Sequence, residues 1–262
     1  MTAYLAEADT RVAHPQELRW VWKTMESHFG HLVPEQVTRE SCKSWITKRR
    51  NMGIGDGSIR KGLGIMQAAL NRHLGKANPA VIERPAPPPG KDRFLTRDEV
   101  GRLLDGCGSR HVRLFVILAI ATGARGVSIL DLTWDRVDMR ARTIDFGASV
   151  GNKRRPVTKM NRDAFEALTE ARQDAICPYV VHYEGRKVQS VKKAFARAVQ
   201  RAGLDGVTPH TLRHTAATWM VMAGVSTVET ARALGISEKM VETRYGHHHP
   251  DFLSRAARAT ER

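Results

Sequence analysis

Residues 208–250 read TPHTLRHTAATWMVMAGVSTVETARALGISEKMVETRYGHHHP. His210 and Arg213 stand three apart directly after Pro209, and Tyr245 follows near the end of a second helical pattern. Residues three apart share a helix face, so a helix starting at the proline presents both side chains together. An imidazole, a guanidinium and a phenol gathered at one place are the groups needed to attack a phosphodiester. The guanidinium fixes non-bridging oxygens through paired donors. The imidazole donates to one of those oxygens or handles a proton, and the phenol is the nucleophile.

Upstream, TGARGVSILDLTWDRVD covers residues 122–138. Together the two stretches resemble the boxes of the tyrosine recombinase (phage integrase) family: G-x-R with a following L-x-W-x-D, then H-x-x-R, a glycine turn and a tyrosine. The resemblance runs from about residue 15 to 255. It implies catalytic roles for Arg125, His210, Arg213 and Tyr245, with Leu132 and Trp134 as core beneath Arg125. It also implies a hairpin lysine that protonates the departing 5′ oxygen, for which Lys153 is the nearest candidate. The family lysine usually stands at or before the turn glycine, where this chain has Val150. Two further departures border the site: Ser128 stands where the family commonly has an acid, and Ile236 where it has His or Trp. Isoleucine can only pack, so reduced or differently supported catalysis is expected.

The implied reaction is site-specific cleavage and rejoining of DNA through a 3′-phosphotyrosyl link at Tyr245, as in integration or excision of a mobile element. The link stores the phosphodiester's energy, so neither cofactor nor metal is expected. Phenol titrates at about 10, so a cationic site must favour its ionised form, and Arg125 and Arg213 supply that field. A type IB topoisomerase-like enzyme shares this chemistry. A catalytically weakened recombinase-like protein acting as a sequence-specific DNA-binding regulator is the reading from another class.

The elements that must position these groups are mostly helical. An apolar stripe of Leu18, Val21, Trp22, Met25 and Phe29 predicts one helix over 14–30. Thr38 caps a second, burying Cys42, Trp45 and Ile46, and Ser58 caps a third with Ile59, Leu63, Met66, Leu70 and Leu74 on one face. Trp20, Trp22 and Trp45 are expected in the core. PAPPPG, residues 85–90, breaks any helix and reads as a stiff connector. Thr96 with Glu99 is a capping-box pattern, and residues 110–122 read as a buried helix. Thr143–Phe146 alternates like a strand, and 179–183 reads as another. Asn161, Ser226 and Ser237 are further caps.

The expected fold is therefore mainly α with a small β-sheet, divided at the proline tract, and the resemblance implies what each part is. Residues 1–84 form a helical core-type DNA-binding domain, 85–91 a Pro-rich linker, and 92–262 an α+β catalytic domain. Too little chain precedes the first helix for an additional arm-binding domain.

Lys plus Arg number 42 against 27 acids, a net charge of +15 and a pI near 10.3. Residues 1–90 carry a net of +5 and the remainder +10. Such an excess favours double-stranded DNA as partner. Arg49, Arg50, Arg60, Lys61 and Arg72 lie off the apolar stripes and are candidates for phosphate contact, as are Arg154 and Arg155 after the turn. Recombination requires synapsis, so the resemblance implies a homo-tetramer on DNA. Three widely spaced cysteines, no signal peptide and no span-length apolar run point to a reducing cytoplasm and no membrane. His247–His249 invites a metal reading. Adjacent residues do not easily converge on one centre, and no cysteine or carboxylate motif flanks them. His247 is expected instead at the border of the active site or in a subunit contact.

Overall fold

The structure is a computed structural model that describes residues 1–12, 15–88, 92–147, 157–252, 254–258 and 260. The chain divides into two compact units, Met1–Lys91 and Asp92–Arg262.

In the first unit, Thr38 accepts from Ser41 N–H with its side chain and starts the helix Arg39–Asn51. Its apolar stripe buries Cys42, Trp45 and Ile46 against Val21, Met25, Phe29, Ile59, Leu63 and Met66. The helix expected from Ser58 begins earlier, at Asp56, with Gly55 as the extended cap, and runs to Leu74. Gly62 lets that helix lie close to the core, since a Cβ there would sit 3.1 Å from Trp45 and 3.3 Å from the Met25 sulfur. The single helix expected over 14–30 is two, Pro15–Lys23 and Glu26–Phe29. The break has a local cause: Thr24 Oγ1 donates back to the Val21 carbonyl at 2.7 Å, and Met25 N–H bonds Trp22 in a tighter turn. Trp20 faces outward, 65% exposed rather than in the core, because the apolar stripe of its short helix passes through Val21. Short helices Thr2–Ala6 and Ala8–Arg11 precede these.

The second unit is built on the helices Arg110–Thr122 and Pro209–Met222, which pack against each other. The helices Arg97–Asp105, Arg162–Gln173 and Lys192–Arg201 surround them. Phe115, Leu118, Leu103, Leu168, Phe195 and Leu212 fill the shared core, and Leu132 and Trp134 join it. A three-stranded antiparallel sheet, Val137–Asp138, Thr143–Asp145 and Val157–Lys159, lies in sequence order with Ile144 opposite both Val137 and Thr158. The strand expected over 179–183 is shorter. Tyr179 makes only a bridge to Thr133, and the paired residues are His182–Tyr183 with Arg186–Lys187. A satellite cluster of Ala217, Val221, Ala231, Leu234, Val241 and Tyr245 holds the helices Thr227–Leu234 and Glu238–Tyr245 against Pro209–Met222, and a short helix Ser254–Arg258 follows. No helix among the described residues is long and apolar enough to cross a membrane.

Candidate active site

Pro209 occupies the first turn of its helix, where its missing N–H costs nothing. Thr208 precedes it as cap, and its N–H donates to Thr211 Oγ1 at 3.0 Å. The helix therefore begins just before His210 and carries His210, Arg213 and His214 within its first two turns.

Arg213 is only 7% exposed. Its Nη1 donates to the Gly123 carbonyl at 2.6 Å and its Nη2 to the Leu234 carbonyl at 2.7 Å. Those carbonyls lie at the C-terminal ends of the helices Arg110–Thr122 and Thr227–Leu234, where unsatisfied backbone oxygens carry partial negative charge. Two helix ends thus hold one guanidinium. Burial and then the neighbouring Arg125 pull its pKa down to about 10, with Tyr245 acting in the opposite sense, and it remains a cation at neutral pH. Gly123 makes the approach possible: it is left-handed (φ +62°), and a Cβ there would lie 2.4 Å from Leu234 Cδ2.

Tyr245 ends the helix Glu238–Tyr245, capped by Ser237. Its ring is buried at 6% exposure in the satellite cluster, and its hydroxyl oxygen lies 2.7 Å from His214 Nδ1. His214, 9% exposed, places Nε2 3.3 Å from Arg244 Nη2. A guanidinium only donates, so Nε2 accepts. Burial, followed by the charges of His210, Arg244 and Arg213, holds His214 down to about 4, so the ring is neutral at pH 7. A neutral imidazole accepting at Nε2 carries its proton on Nδ1. His214 therefore donates to the Tyr245 oxygen, a bond that strengthens as that oxygen gains charge. Burial pushes the phenol above its ordinary value, while Arg244 and Arg213 work against the rise.

His210 is exposed one turn before His214, its ring 4.5 Å from the other between centroids. Partial desolvation by the surrounding chain, then Arg213, Arg244 and Arg125, lowers its pKa. Arg125 is the exposed cap residue of the helix Gly126–Leu130 and lines a small pocket with Ser128, Thr158, Arg213 and Leu234. Ser128 is buried there and offers a hydroxyl in place of a carboxylate. Ile236 packs on the satellite cluster. His247 turns to Asp92, 3.2 Å away.

The structure thus brings together Arg125, His210, Arg213 and Tyr245. Lys153, Arg154 and Arg155 lie outside the described residues. In the first unit, four of the five candidate phosphate contacts already have partners. Arg50 pairs with Asp56, Lys61 with Glu17 and Arg72 with Glu7, while Arg60 donates to the Pro85 carbonyl. Arg49 lies over the Trp45 ring, and its Nε has no hydrogen-bond partner among the described residues.

Sequence reasoning missed His214 and Arg244. His214 stands four residues after His210 on the same face, which was a usable signal. Its contact with Tyr245 crosses 31 residues, and nothing local announces it.

A helical unit, an α+β unit, and two arginines and two histidines around a buried tyrosine together define a class. The chain belongs to the phage integrase family of tyrosine recombinases, whose family model matches residues 93–251. It is 27% identical to the integrase of Salmonella phage P22 over 193 residues, 68% of this chain and 49% of that protein. It is 32% identical to tyrosine recombinase XerA of Thermococcus kodakarensis over 165 residues, 60% of this chain and 58% of that protein. The chain spans about half the length of the phage integrases it matches. Solved structures share the fold, among them two integrases. The Tn1549 transposon integrase in complex with transposon right end DNA superposes with a TM-score of 0.79, at 17% identity, covering 98% of both chains. A lambda integrase dimer bound to a core site gives 0.76 at 18% identity, covering 93% of this chain and 75% of that one.

Proposed function

We propose that this chain is a site-specific DNA recombinase in which Tyr245 cleaves and rejoins duplex DNA, in the integration or excision of a mobile element. One observation carries the reading: the Tyr245 oxygen accepts from His214 within the field of Arg213, on elements that also bring His210 and Arg125 to the same place.

The phenolic oxygen attacks the scissile phosphorus, and the bond to the 5′ oxygen breaks. A 3′-phosphotyrosyl ester and a free 5′ hydroxyl result, and a partner strand's hydroxyl reverses the step. Arg125 and the N–H donors of Arg213 not bound to carbonyls face the non-bridging oxygens, where charge grows in the transition state. Tyr245 loses its proton to water as its oxygen attacks, His214 stabilises the charge that grows there, and exposed His210 donates to a phosphate oxygen. Lys153 is assigned the proton for the 5′ oxygen by its position after the Thr143–Asp145 strand. Because Tyr245 is 6% exposed, its helix shifts when DNA is engaged. Both basic units contact the duplex, and four protomers assemble for strand exchange.

The test is a suicide substrate whose nick lets the 5′ fragment diffuse away. Wild type is expected to accumulate a covalent protein–DNA species resistant to denaturant, and Tyr245→Phe to give none. Equal accumulation by both rejects the assignment. Gel-shift binding without an adduct in wild type would mark a DNA-binding regulator.

A further inference from the structure

The tyrosine helix runs directly into the tight turn Gly246–His248, and this turn meets Asp92. His247 Nε2 lies 3.2 Å from one Asp92 oxygen and His248 Nε2 4.0 Å from the other. One donor atom from each of the three side chains lies within 4.8 Å of the other two. Around a tetrahedral ion with zinc-type bond lengths, donor atoms stand about 3.3 Å apart; the His247–Asp92 pair already has that spacing, and a small side-chain rotation brings in His248. Two imidazoles and a carboxylate suit zinc and its first-row neighbours. His248 Nε2 is buried with no hydrogen-bond partner among the described residues, a polar atom whose bonding capacity is unused. The His248 ring packs edge-on against Phe94 at 5.2 Å and beside His247 at 4.0 Å between centroids. Neighbouring histidines alone converge poorly; here the third donor comes from 155 residues away, which local sequence could not reveal.

We propose that Asp92, His247 and His248 bind one divalent cation of the zinc class, and that the bound ion restrains the tyrosine segment. Remaining coordination positions fall to water. His247 is two residues beyond Tyr245, so an ion shared with Asp92 ties the end of the tyrosine helix to the start of the second unit. Tyr245, seated against His214, then resists the displacement that carries its oxygen to a phosphate. The restraint rests on Tyr245 being the nucleophile; the ion site does not.

Calorimetric titration of the metal-free chain with Zn²⁺, with Co²⁺ absorption as a reporter of coordination, tests the site. Wild type is expected to bind one ion per chain at this site, and Asp92→Asn and His248→Ala each to weaken it at least about tenfold. Asp92 is exposed, so its variant is expected to fold. Zn²⁺ is expected to slow wild-type adduct formation about fivefold or more, chelation to reverse this, and Asp92→Asn to be indifferent to both. No binding by wild type, or unchanged binding by Asp92→Asn, overturns the site. Binding with an unchanged adduct rate overturns the restraint. Binding with no adduct under any condition overturns the nucleophile reading and the restraint with it, and leaves the ion site standing.

Discussion

Arg213 bridges two backbone carbonyls, which makes it structural as well as a candidate for catalysis. A lysine there has one ammonium on a flexible stem and cannot span both acceptors. A buried carbonyl left unpaired costs about 1–3 kcal/mol. Arg213→Lys is therefore expected to unfold at lower denaturant by about that amount and to lose adduct formation. Unchanged stability would show that the two carbonyls find other donors. His214 supplies a pH signature. Its folded value near 4 lies below its ordinary 6.5, so the unfolded chain binds more protons between those limits. The stability this group contributes is complete above about 6.5 and is lost as pH falls through about 4, by up to about 3 kcal/mol. His214→Gln, measured by denaturant unfolding at stepped pH, is expected to flatten that part of the curve. An identical acid limb in both proteins would contradict the buried neutral ring. Arg125, His210, Arg213 and Tyr245 were legible as candidates because each stands in a local motif. His214, Arg244 and Asp92 were not, because each takes its role from a residue that folding brings in from elsewhere.

At the scale of elements, the chain announces its helix starts through side chains that satisfy free backbone N–H groups. Thr38, Thr96, Asn161, Ser226 and Ser237 each accept from the N–H three residues on. Thr96 belongs to a reciprocal box. Glu99 accepts from Thr96 N–H at 2.9 Å and from Arg93 through two bonds, and is held down to about 2, chiefly by Arg93. Its contribution to stability is present above about 4.5 and is lost as pH falls toward 2, below the His214 window. Thr96→Ala is expected to cost about 1 kcal/mol, read from the denaturation midpoint. The misread starts have equally physical reasons. Asp56 and Ser58 are both plausible openings, and an extended glycine before Asp56 decides between them. The Thr24 back-bond and the outward Trp20 depend on which stripe meets the core. Gly123→Ala tests the junction that builds the arginine clamp. A left-handed alanine costs about 1–2 kcal/mol, and overpacking against Leu234 adds about 1–3 kcal/mol. A thermal midpoint within a degree of wild type would rule out the close approach.

Across the whole molecule, the net charge of +15 ties duplex affinity to salt. Each phosphate neutralised contributes roughly −0.9 to the slope of log affinity against log salt. The first unit distinguishes its cations: Arg50, Lys61 and Arg72 are held in ion pairs, while Arg49 lies over Trp45 with no ion pair among the described residues. Arg49→Gln is expected to weaken binding to any duplex and to reduce the slope by about 1, with Arg72→Gln changing it less, as measured by fluorescence anisotropy between low and moderate salt. The reverse order would mean that the ion pairs open on DNA. The division into a helical unit and an α+β unit followed from element types and the proline tract. The positions of Thr227–Leu234 and Glu238–Tyr245 did not, because they rest on a small apolar cluster formed by residues from three separated helices.

The central claim is that the Tyr245 oxygen becomes the point of covalent attachment to DNA. Trapping the adduct on a nicked substrate, digesting protein and DNA, and sequencing the nucleotide-bearing peptide by mass spectrometry tests it directly. The account predicts a single modified peptide carrying a 3′-phosphate ester on Tyr245. Attachment at any other residue, or a 5′ linkage, would contradict it.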